Sequence, residues 1–451
     1  MSSPPADPGS RASLARDLLT LAGPIALGFL GTNLMTIVDT AMVRPLGHVA
    51  VGAVGLGGAV YGFALLSGVG LLLGVDRVAA VALGAGRRDD VARALVGGVA
   101  IALCAGVPLA LGLRVASGYV GHFGVAPELV PITSDYLRTL APAVVPALLF
   151  FAARQTLQAV DDTTAATGIL FATNGLNALV GYALVNGRLG MPRLGAPGVA
   201  LATLTSQTVM ALSLFAWCAR RGLGVRRVGL RPDLATLREL LRLGLPASLQ
   251  LVLEVGVFSF VALLAARIDA VSAAAHQAVI QIASFTFMVP LGLSIAGAVR
   301  VGQSIGREDY ARARRIGTTA VTLGALFMVA SGLTLTLAWR PILGVFVTDP
   351  QVLALARKLL AVAAVFQLFD GMQVTLSGAL RGAGDTTSSM FANLAGHWAL
   401  GLPVGCALAF WYHLGALGLW VGLAVGLGSV AMFLLARWRV RSARMGAPAP
   451  R

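Results

Sequence analysis

The sequence predicts an all-α integral membrane protein of twelve transmembrane helices in two pseudo-symmetric six-helix lobes. Three observations carry this. The 451 residues are 57% hydrophobic and only 12% charged, with a mean hydropathy of +0.83, too apolar for a chain that must cover its own surface in water. Windows of about 20 apolar residues recur along nearly the whole length, matching a hydrocarbon core of roughly 30 Å crossed at 1.5 Å per residue. The chain also matches itself at a period of roughly 220 residues, the mark of a duplicated architecture.

Hydropathy places the first-half helices at about 17 to 43, 49 to 75, 92 to 114, 131 to 158, 166 to 186 and 197 to 219. Those of the second half fall at about 238 to 266, 272 to 299, 313 to 338, 352 to 379, 388 to 410 and 415 to 437. An even count puts both termini on one side. Arginines crowd the even-numbered connections and the C-terminal tail: Arg87, Arg88 and Arg93, the stretch from Arg220 to Arg242, Arg307 to Arg315, and Arg437 to Arg444. The opposite connections hold scattered charges such as Arg44, Arg188 and Arg340, so the crowded side is expected to be cytoplasmic. Trp217, Trp339, Trp411 and Trp438 lie near helix ends, where an interfacial belt would place them. The 55 glycines, spread through the apolar segments, suit close helix contacts in a bilayer.

The repeat rests on three matches. LAGPIAL with Pro24 pairs with LGLPASL with Pro246; GAGRRDDVARA from Gly84 pairs with SIGREDYARAR from Ser304; DDTTAAT from Asp161 pairs with GDTTSSM from Gly384. Each repeat has an even number of helices, so the halves share one orientation about an axis along the membrane normal. The predicted organisation is a cytoplasmic tail over 1–16, an N-terminal lobe over 17–219, a basic cytoplasmic linker over 220–237, a C-terminal lobe over 238–438 and a cytoplasmic tail over 439–451. The N-terminal tail lacks the short apolar region and small-residue cleavage site of a signal peptide and is expected to be retained.

Several function classes are disfavoured. The net charge of +15 comes from short arginine clusters between apolar segments, which orient a membrane protein and do not describe a nucleic-acid-binding domain. Lys358 is the only lysine and sits in no P-loop, so ATP hydrolysis is not expected. Cys104, Cys218 and Cys406 lie in apolar segments without CxxC spacing and read as small core residues. HExxH and GxSxG are absent, and five histidines are too few for a clustered metal site, so the chain is not expected to be an enzyme and needs no cofactor beyond a coupling H+ or Na+.

Four stretches, in order, resemble the multidrug and toxic compound extrusion (MATE) transporters over nearly the whole chain. These are MTIVDTAMV around Asp39 with LLGVDRVAAVALGAGRRD after it; LPASLQLVLEVGVFSF around Glu254; AAHQAVIQIASFTFMVPLGLSIAGAVRVGQSIGR; and QLFDGMQVTLSGALRGAGDTT, which is similar to the bacterial NorM branch. The sequence departs from the family pattern in the second helix, where Arg77 replaces the usual Thr and Ala82 the usual Gln. In the fifth helix Gly181 ends an N-x-x-L-D pattern begun by Asn177, so the second N-lobe acid is missing.

Asp39, Glu254 and Asp370 stand inside apolar helices, where an ionised carboxylate costs roughly 2.5 to 3.5 kcal/mol or more and so faces a cavity or a partner. A packing role for a protonated acid is the plainer alternative. The resemblance implies a C-lobe cation site of Glu254 and Asp370, binding Na+ if sodium is the coupling ion, and an N-lobe site at Asp39. Neutral groups expected to line a cavity are Asn33, Asn174, Asn177, Thr203, Gln250, Gln277, Gln281 and Gln367, each of which could equally bridge two helices. Phe366, one turn before Asp370, could stack on a planar substrate or fill the core. His276 reads as a packed polar residue. Asp76, beside Arg77 at the inner end of the second helix, fits an ion pair at a cytoplasmic gate as well as it fits transport chemistry, and Asp161, Asp162 and Asp385 are expected to cap the following helices.

The function these residues imply is secondary multidrug efflux, a cation/organic compound antiport by alternating access. Substrates would be small cationic or amphiphilic molecules handled by a monomer in the inner (plasma) membrane. A lipid-linked oligosaccharide flippase of the same superfamily is the rival transporter; it would prefer a basic cavity, and the mid-helix charges here are acidic. A membrane-embedded enzyme or a channel is the rival from other classes.

Overall fold

The structure is a computed structural model that describes residues 11–123, 125–223 and 225–446; the first ten residues of the predicted N-terminal tail and the last five of the C-terminal one lie outside the described residues. Among the described residues twelve helices are long and apolar enough to cross a membrane: α1 (Arg11–Val43), α2 (His48–Gly84), α3 (Arg88–Ser117), α4 (Val130–Ala159), α5 (Thr163–Asn186), α6 (Ala196–Arg220), α7 (Leu234–Ile268), α8 (Ala270–Gly306), α9 (Tyr310–Leu337), α10 (Pro350–Gly382), α11 (Thr387–Trp411) and α12 (Ala416–Ala443). No strand occurs among the described residues. Large apolar side chains such as Leu212, Leu263, Phe285 and Leu333 are exposed, as expected of helices whose outer solvent is lipid.

Several helices run past the hydropathy reading, α2 to Gly84 and α8 to Gly306 among them, and at two further ends the contacts that extend the helix are plain. α1 begins at Arg11, before the predicted start, since Leu14 and Leu18 are buried and Asp17 carries an ion pair. α12 runs on to Ala443, and Trp438 is buried against the close-packed Gly317 with its indole donating to Thr318 Oγ1 at 3.4 Å, not held in an interfacial belt. The basic linker holds a short helix, Val225–Val228, and ends at Asp233. There the Thr236 amide donates to the carboxylate at 2.9 Å and, with the Thr236 hydroxyl, holds the acid below its ordinary range.

The chain forms two compact units, and they do not break at the linker. The first is Leu27–Ser248; the second is Leu249–Arg451 together with the described residues up to Ala26. The first halves of α1 and α7 therefore each belong with the helices of the other repeat. Both are apolar half-helices containing a proline, Pro24 and Pro246, which removes an intrahelical hydrogen bond.

In the first unit the start of α7 packs on α2 through residues too small to hold it off. A side chain at Gly74 would meet the Leu240 carbonyl, and the Ser248 hydroxyl donates to the Ser67 carbonyl at 2.7 Å. Arg77 of α2 pairs with Glu239 of α7 at 2.8 Å. The core of this unit centres on Leu72, Val75, Leu137, Val144 and Leu148. In the second unit the start of α1 packs on α8 in the same way: Gly292 leaves room for the backbone of Ala22, and Arg300 pairs with Asp17 at 2.7 Å. Its core gathers Phe366, Trp420, Leu359 and Leu427.

The repeat's turns are alike in backbone, with one shift in register. Gly86 and Glu308 both adopt the left-handed conformation after α2 and α8, so the structural equivalent of Gly86 lies two positions later than the match of GAGRRDD with SIGREDY implies. Asp161 and Gly384 take the same conformation after α4 and α10, as the DDTT and GDTT match predicts.

Candidate functional site

The first unit gathers its polar groups around Asp39, in the outer-numbered half of α1. The Asp39 carboxylate is 8% exposed and accepts from Asn177 Nδ2 of α5 at 2.5 Å and from Thr203 Oγ1 of α6 at 3.1 Å. Asn177 in turn accepts from Ser206 at 3.5 Å. Tyr61 of α2 and Tyr136 of α4 are buried within the electrostatic reach of the same carboxylate, and the Tyr61 hydroxyl meets no hydrogen-bond partner among the described residues. Gly181 adds no charge here; its missing side chain admits the Met42 sulfur against the α5 backbone. One acid, two hydrogen-bond donors and a ring of hydroxyls make a site that can hold or release a single proton.

The second unit has a different centre. Asp370 of α10 is 7% exposed and lies in the electrostatic field of Glu254 of α7. Glu254 accepts hydrogen bonds from the Gln250 and Gln373 amides. Gln250 also reaches Ser377 Oγ at 3.4 Å, and Gln373 Nε2 reaches Asn393 Oδ1 of α11 at 3.5 Å. Two carboxylates and several amide oxygens form a donor set suited to a hard cation or to shared protons. No group of three or more His, Cys, Asp or Glu occurs among the described residues, so a resident transition-metal centre has no ligand set there.

The other predicted cavity residues divide. Gln367 is buried and bridges helices, donating to Thr286 Oγ1 at 2.6 Å and accepting from Ser331 at 3.0 Å. Asn174 does likewise, donating to the Gly31 carbonyl at 2.8 Å. Phe366 is 1% exposed and packs on Trp420 with ring centroids 5.4 Å apart, inside the core. Asn33 is half-buried, and Gln277 and Gln281 are exposed. His276 accepts from Trp420 Nε1 at 3.2 Å. An apolar cavity of about 630 Å³ between α10 and α12, lined by Val362, Phe369, Val425 and Met432, contains none of these polar residues.

Near the helix ends, two expectations are corrected. Arg77 pairs with Glu239, while Asp76 accepts from the Arg77 backbone amide at 2.6 Å; adjacent residues on a helix do not face each other, so the guanidinium reaches across to α7. Asp162 does not cap α5: it accepts from Trp217 Nε1 at 2.8 Å and Arg221 Nε at 2.7 Å on α6, a charge-assisted pairing that outcompetes the cap. Asp385 does accept from the Ser388 amide, at 3.1 Å, and pairs with Arg437 at 2.8 Å. Burial pushes the Asp385 carboxyl up, but the Ser388 and Arg437 hydrogen bonds outweigh it and hold the acid below its ordinary range.

Tyr61, Tyr136, Ser206, Gln373, Asn393 and His397 were not singled out by the sequence. Their signal is only a polar residue inside an apolar helix, shared by many side chains that merely bridge neighbours.

A twelve-helix, internally duplicated chain with ionisable side chains buried inside each half belongs to the class of polytopic membrane proteins. The comparisons are more specific. The MatE family model matches residues 24–183 and 246–406, one copy per repeat. The chain is 35% identical over 443 residues to the probable multidrug resistance protein NorM of Brucella suis biovar 1 (strain 1330), covering 96% of this chain and 94% of that one. It is 36% identical over 450 residues to the probable multidrug resistance protein NorM of Deinococcus radiodurans, covering 98% and 99%. Among solved structures, an outward-facing multidrug resistance MATE family transporter of the MOP superfamily superposes with a TM-score of 0.88 at 20% identity, covering 97% of this chain and 98% of that one. A eukaryotic MATE transporter superposes at 0.87 and 18%, covering 96% and 98%. This chain belongs to the MatE family.

Proposed function

We propose that this protein is a multidrug efflux transporter that exchanges an inward-moving cation, H+ or Na+, for a small cationic or amphiphilic organic compound. The observation that carries the reading is the pair of Glu254, partly buried, and Asp370, buried, with their amide neighbours, an arrangement expensive to hold empty of a proton or a metal ion in a membrane interior. The names of the relatives support multidrug export. Two repeats acting as lobes, with both termini cytoplasmic in the inner membrane as the arginine clusters imply, would let the cation reset the site that held the drug. Each elementary charge moving through 100 mV contributes about 2.3 kcal/mol to that cycle.

The flippase reading is weaker because the mid-helix charges are acidic. The likeness to a MOP superfamily transporter from Pyrococcus furiosus, whose description stresses a binding pocket of reversed polarity, reaches a TM-score of 0.87 at 19% identity, with 96% of this chain and 97% of that one covered, and speaks to fold alone. The test is uptake of a panel of fluorescent cations into proteoliposomes under an imposed proton or sodium gradient. Gradient-driven accumulation of at least one dye supports the proposal; accumulation that ignores both gradients contradicts it.

A further inference from the structure

The second unit buries two histidines, and they are treated differently by their surroundings. His276 has its Trp420 donor. His397 is fully buried, yet neither of its ring nitrogens meets a hydrogen-bond partner among the described residues. An imidazole always carries at least one N–H and, when neutral, one lone pair, so leaving both unsatisfied inside a folded unit costs free energy without any packing need for a polar ring. The backbone beneath it is equally unusual. Residues Leu394–Gly401 of α11 are π-helical, a rare widened backbone that is frequent at functional sites.

The position of the ring connects it to the carboxylates. Phe258 follows Glu254 by four residues on α7, and its ring lies 6.4 Å from the His397 ring. His397 follows Asn393 by four residues on α11, and Asn393 is linked through Gln373 to Glu254. The imidazole therefore sits one turn along both helices, about 6 Å, from the level of the Glu254 network. On the proposed orientation that is the outer side. The charged groups on the helices packed around it are few. α7 offers Glu254, α10 offers Asp370 with Arg381 near its end, α12 has no charge between Ala416 and Leu434, and its Gly426 lies against the His397 ring. α11 itself carries one other titratable side chain, Cys406, nine residues further on.

We propose that His397 is a further proton-binding residue of the coupling machinery, taking up a proton that the Glu254 and Asp370 pair gives up and returning it. The O–H bond of one carboxylic acid breaks, an N–H bond forms on the free ring nitrogen, and the products are a carboxylate and an imidazolium. The net charge of the unit is unchanged, and the cost of creating two buried charges is offset in part by their mutual attraction. A rise of one turn is within the reach of a single hydrogen-bonded water or of a rotated Glu254 side chain.

This inference rests on the proton-coupled form of the function proposed above, and two measurements separate the two. The first needs no transport. The full-length protein in nanodiscs, labelled at histidine 13Cε1, gives five ring signals, and that of His397 is assigned by its loss in His397→Gln. The signal is expected to move between about pH 4.5 and 8, with a midpoint that Glu254→Gln displaces by about half a pH unit or more. A His397 signal that is constant over that range, or whose curve ignores Glu254→Gln, overturns the proposal.

The second is proton-gradient-driven dye uptake in proteoliposomes. His397→Gln and His397→Phe should keep the parental elution profile and bind dye within about twofold, while uptake falls at least tenfold, a loss of about 1.4 kcal/mol of coupling. Parental uptake in a folded His397→Gln protein would overturn the proposal. A parent that accumulates no dye under either gradient would overturn the transport reading instead, leaving the ring titration to decide His397.

Discussion

The two units are built alike at their helix ends and differently at their centres. In each, an acid on a proline-containing half-helix pairs with an arginine of the helix it packs on, Glu239 with Arg77 and Asp17 with Arg300. In each, an acid in the turn after the fourth helix of the repeat pairs with an arginine near the end of the sixth, Asp162 with Arg221 and Asp385 with Arg437. Midway along the helices the likeness stops. The first unit holds one carboxylate saturated by Asn177 and Thr203; the second holds Glu254 and Asp370 in each other's field, with His397 a turn away. Duplication has left the framework common and made the charge content unequal, so the chemistry should be unequal too.

That inequality is open to direct attack. Glu254→Gln and Asp370→Asn should each reduce gradient-driven efflux by about a hundredfold or more, because either change removes half of a paired cation site, while insertion and elution of the protein stay parental. Efflux at the parental rate from both variants would mean that the second unit's acids are structural. Asp39→Asn is expected to be milder, roughly a tenfold loss of proton-driven efflux, since an amide still satisfies Thr203 and only the exchangeable proton is lost. A loss as deep as that of Glu254→Gln would erase the difference between the units.

The shared framework should respond symmetrically and weakly. Arg77→Ala and Arg300→Ala remove ion pairs that are partly exposed, with side-chain accessibilities of 16%/50% and 15%/30%, so each should destabilise by about 0.5–1 kcal/mol and lower the melting temperature by about 1–2 °C. A double-mutant cycle with Glu239→Ala or Asp17→Ala checks that the effect belongs to the pair.

The smallest expected effect is that of pH on Asp385. Its acid is held below the ordinary range in the folded protein, so its contribution is present at neutral pH and is lost as pH falls below the unfolded value of about 3.9 and through the folded one. Asp385→Asn should lower the melting temperature at pH 7 by about 1 °C and narrow its difference from the parent at acid pH. Melting curves at both pH values decide it.

Much of this was legible in the sequence, and the reasons are physical. Helix number follows from apolar length, because a bilayer imposes one span length on every crossing. The repeat was visible through Pro24 and Pro246 and through the turn motifs. Asp39, Glu254 and Asp370 stood out because a carboxylate in an apolar helix has few excuses. What could not be read was partnership. Hydropathy cannot tell that the start of α7 packs with α2, that Arg77 reaches Glu239, or that Asp162 turns from its cap to Trp217 and Arg221, since each depends on residues distant in the chain. Phe366 illustrates the same limit: its spacing from Asp370 suggested a shared face, yet it is buried against Trp420. His397 was missed because a π-helical segment leaves no pattern in the sequence around it.

A sodium-binding measurement should separate the units most sharply. Purified parent, Asp39→Asn and Glu254→Gln proteins are compared for ²²Na+ binding and for thermal stabilisation by Na+ at fixed ionic strength and neutral pH. A lone carboxylate surrounded by neutral groups has too little negative charge to retain Na+, whereas a carboxylate pair with amide oxygens offers what a hard cation needs. The expected result is a parental Na+ signal that survives in Asp39→Asn and disappears in Glu254→Gln. Loss of that signal in Asp39→Asn with retention in Glu254→Gln would contradict the assignment of the cation to the second unit, and no signal in the parent would remove Na+ from the mechanism and leave H+ as the ligand of both.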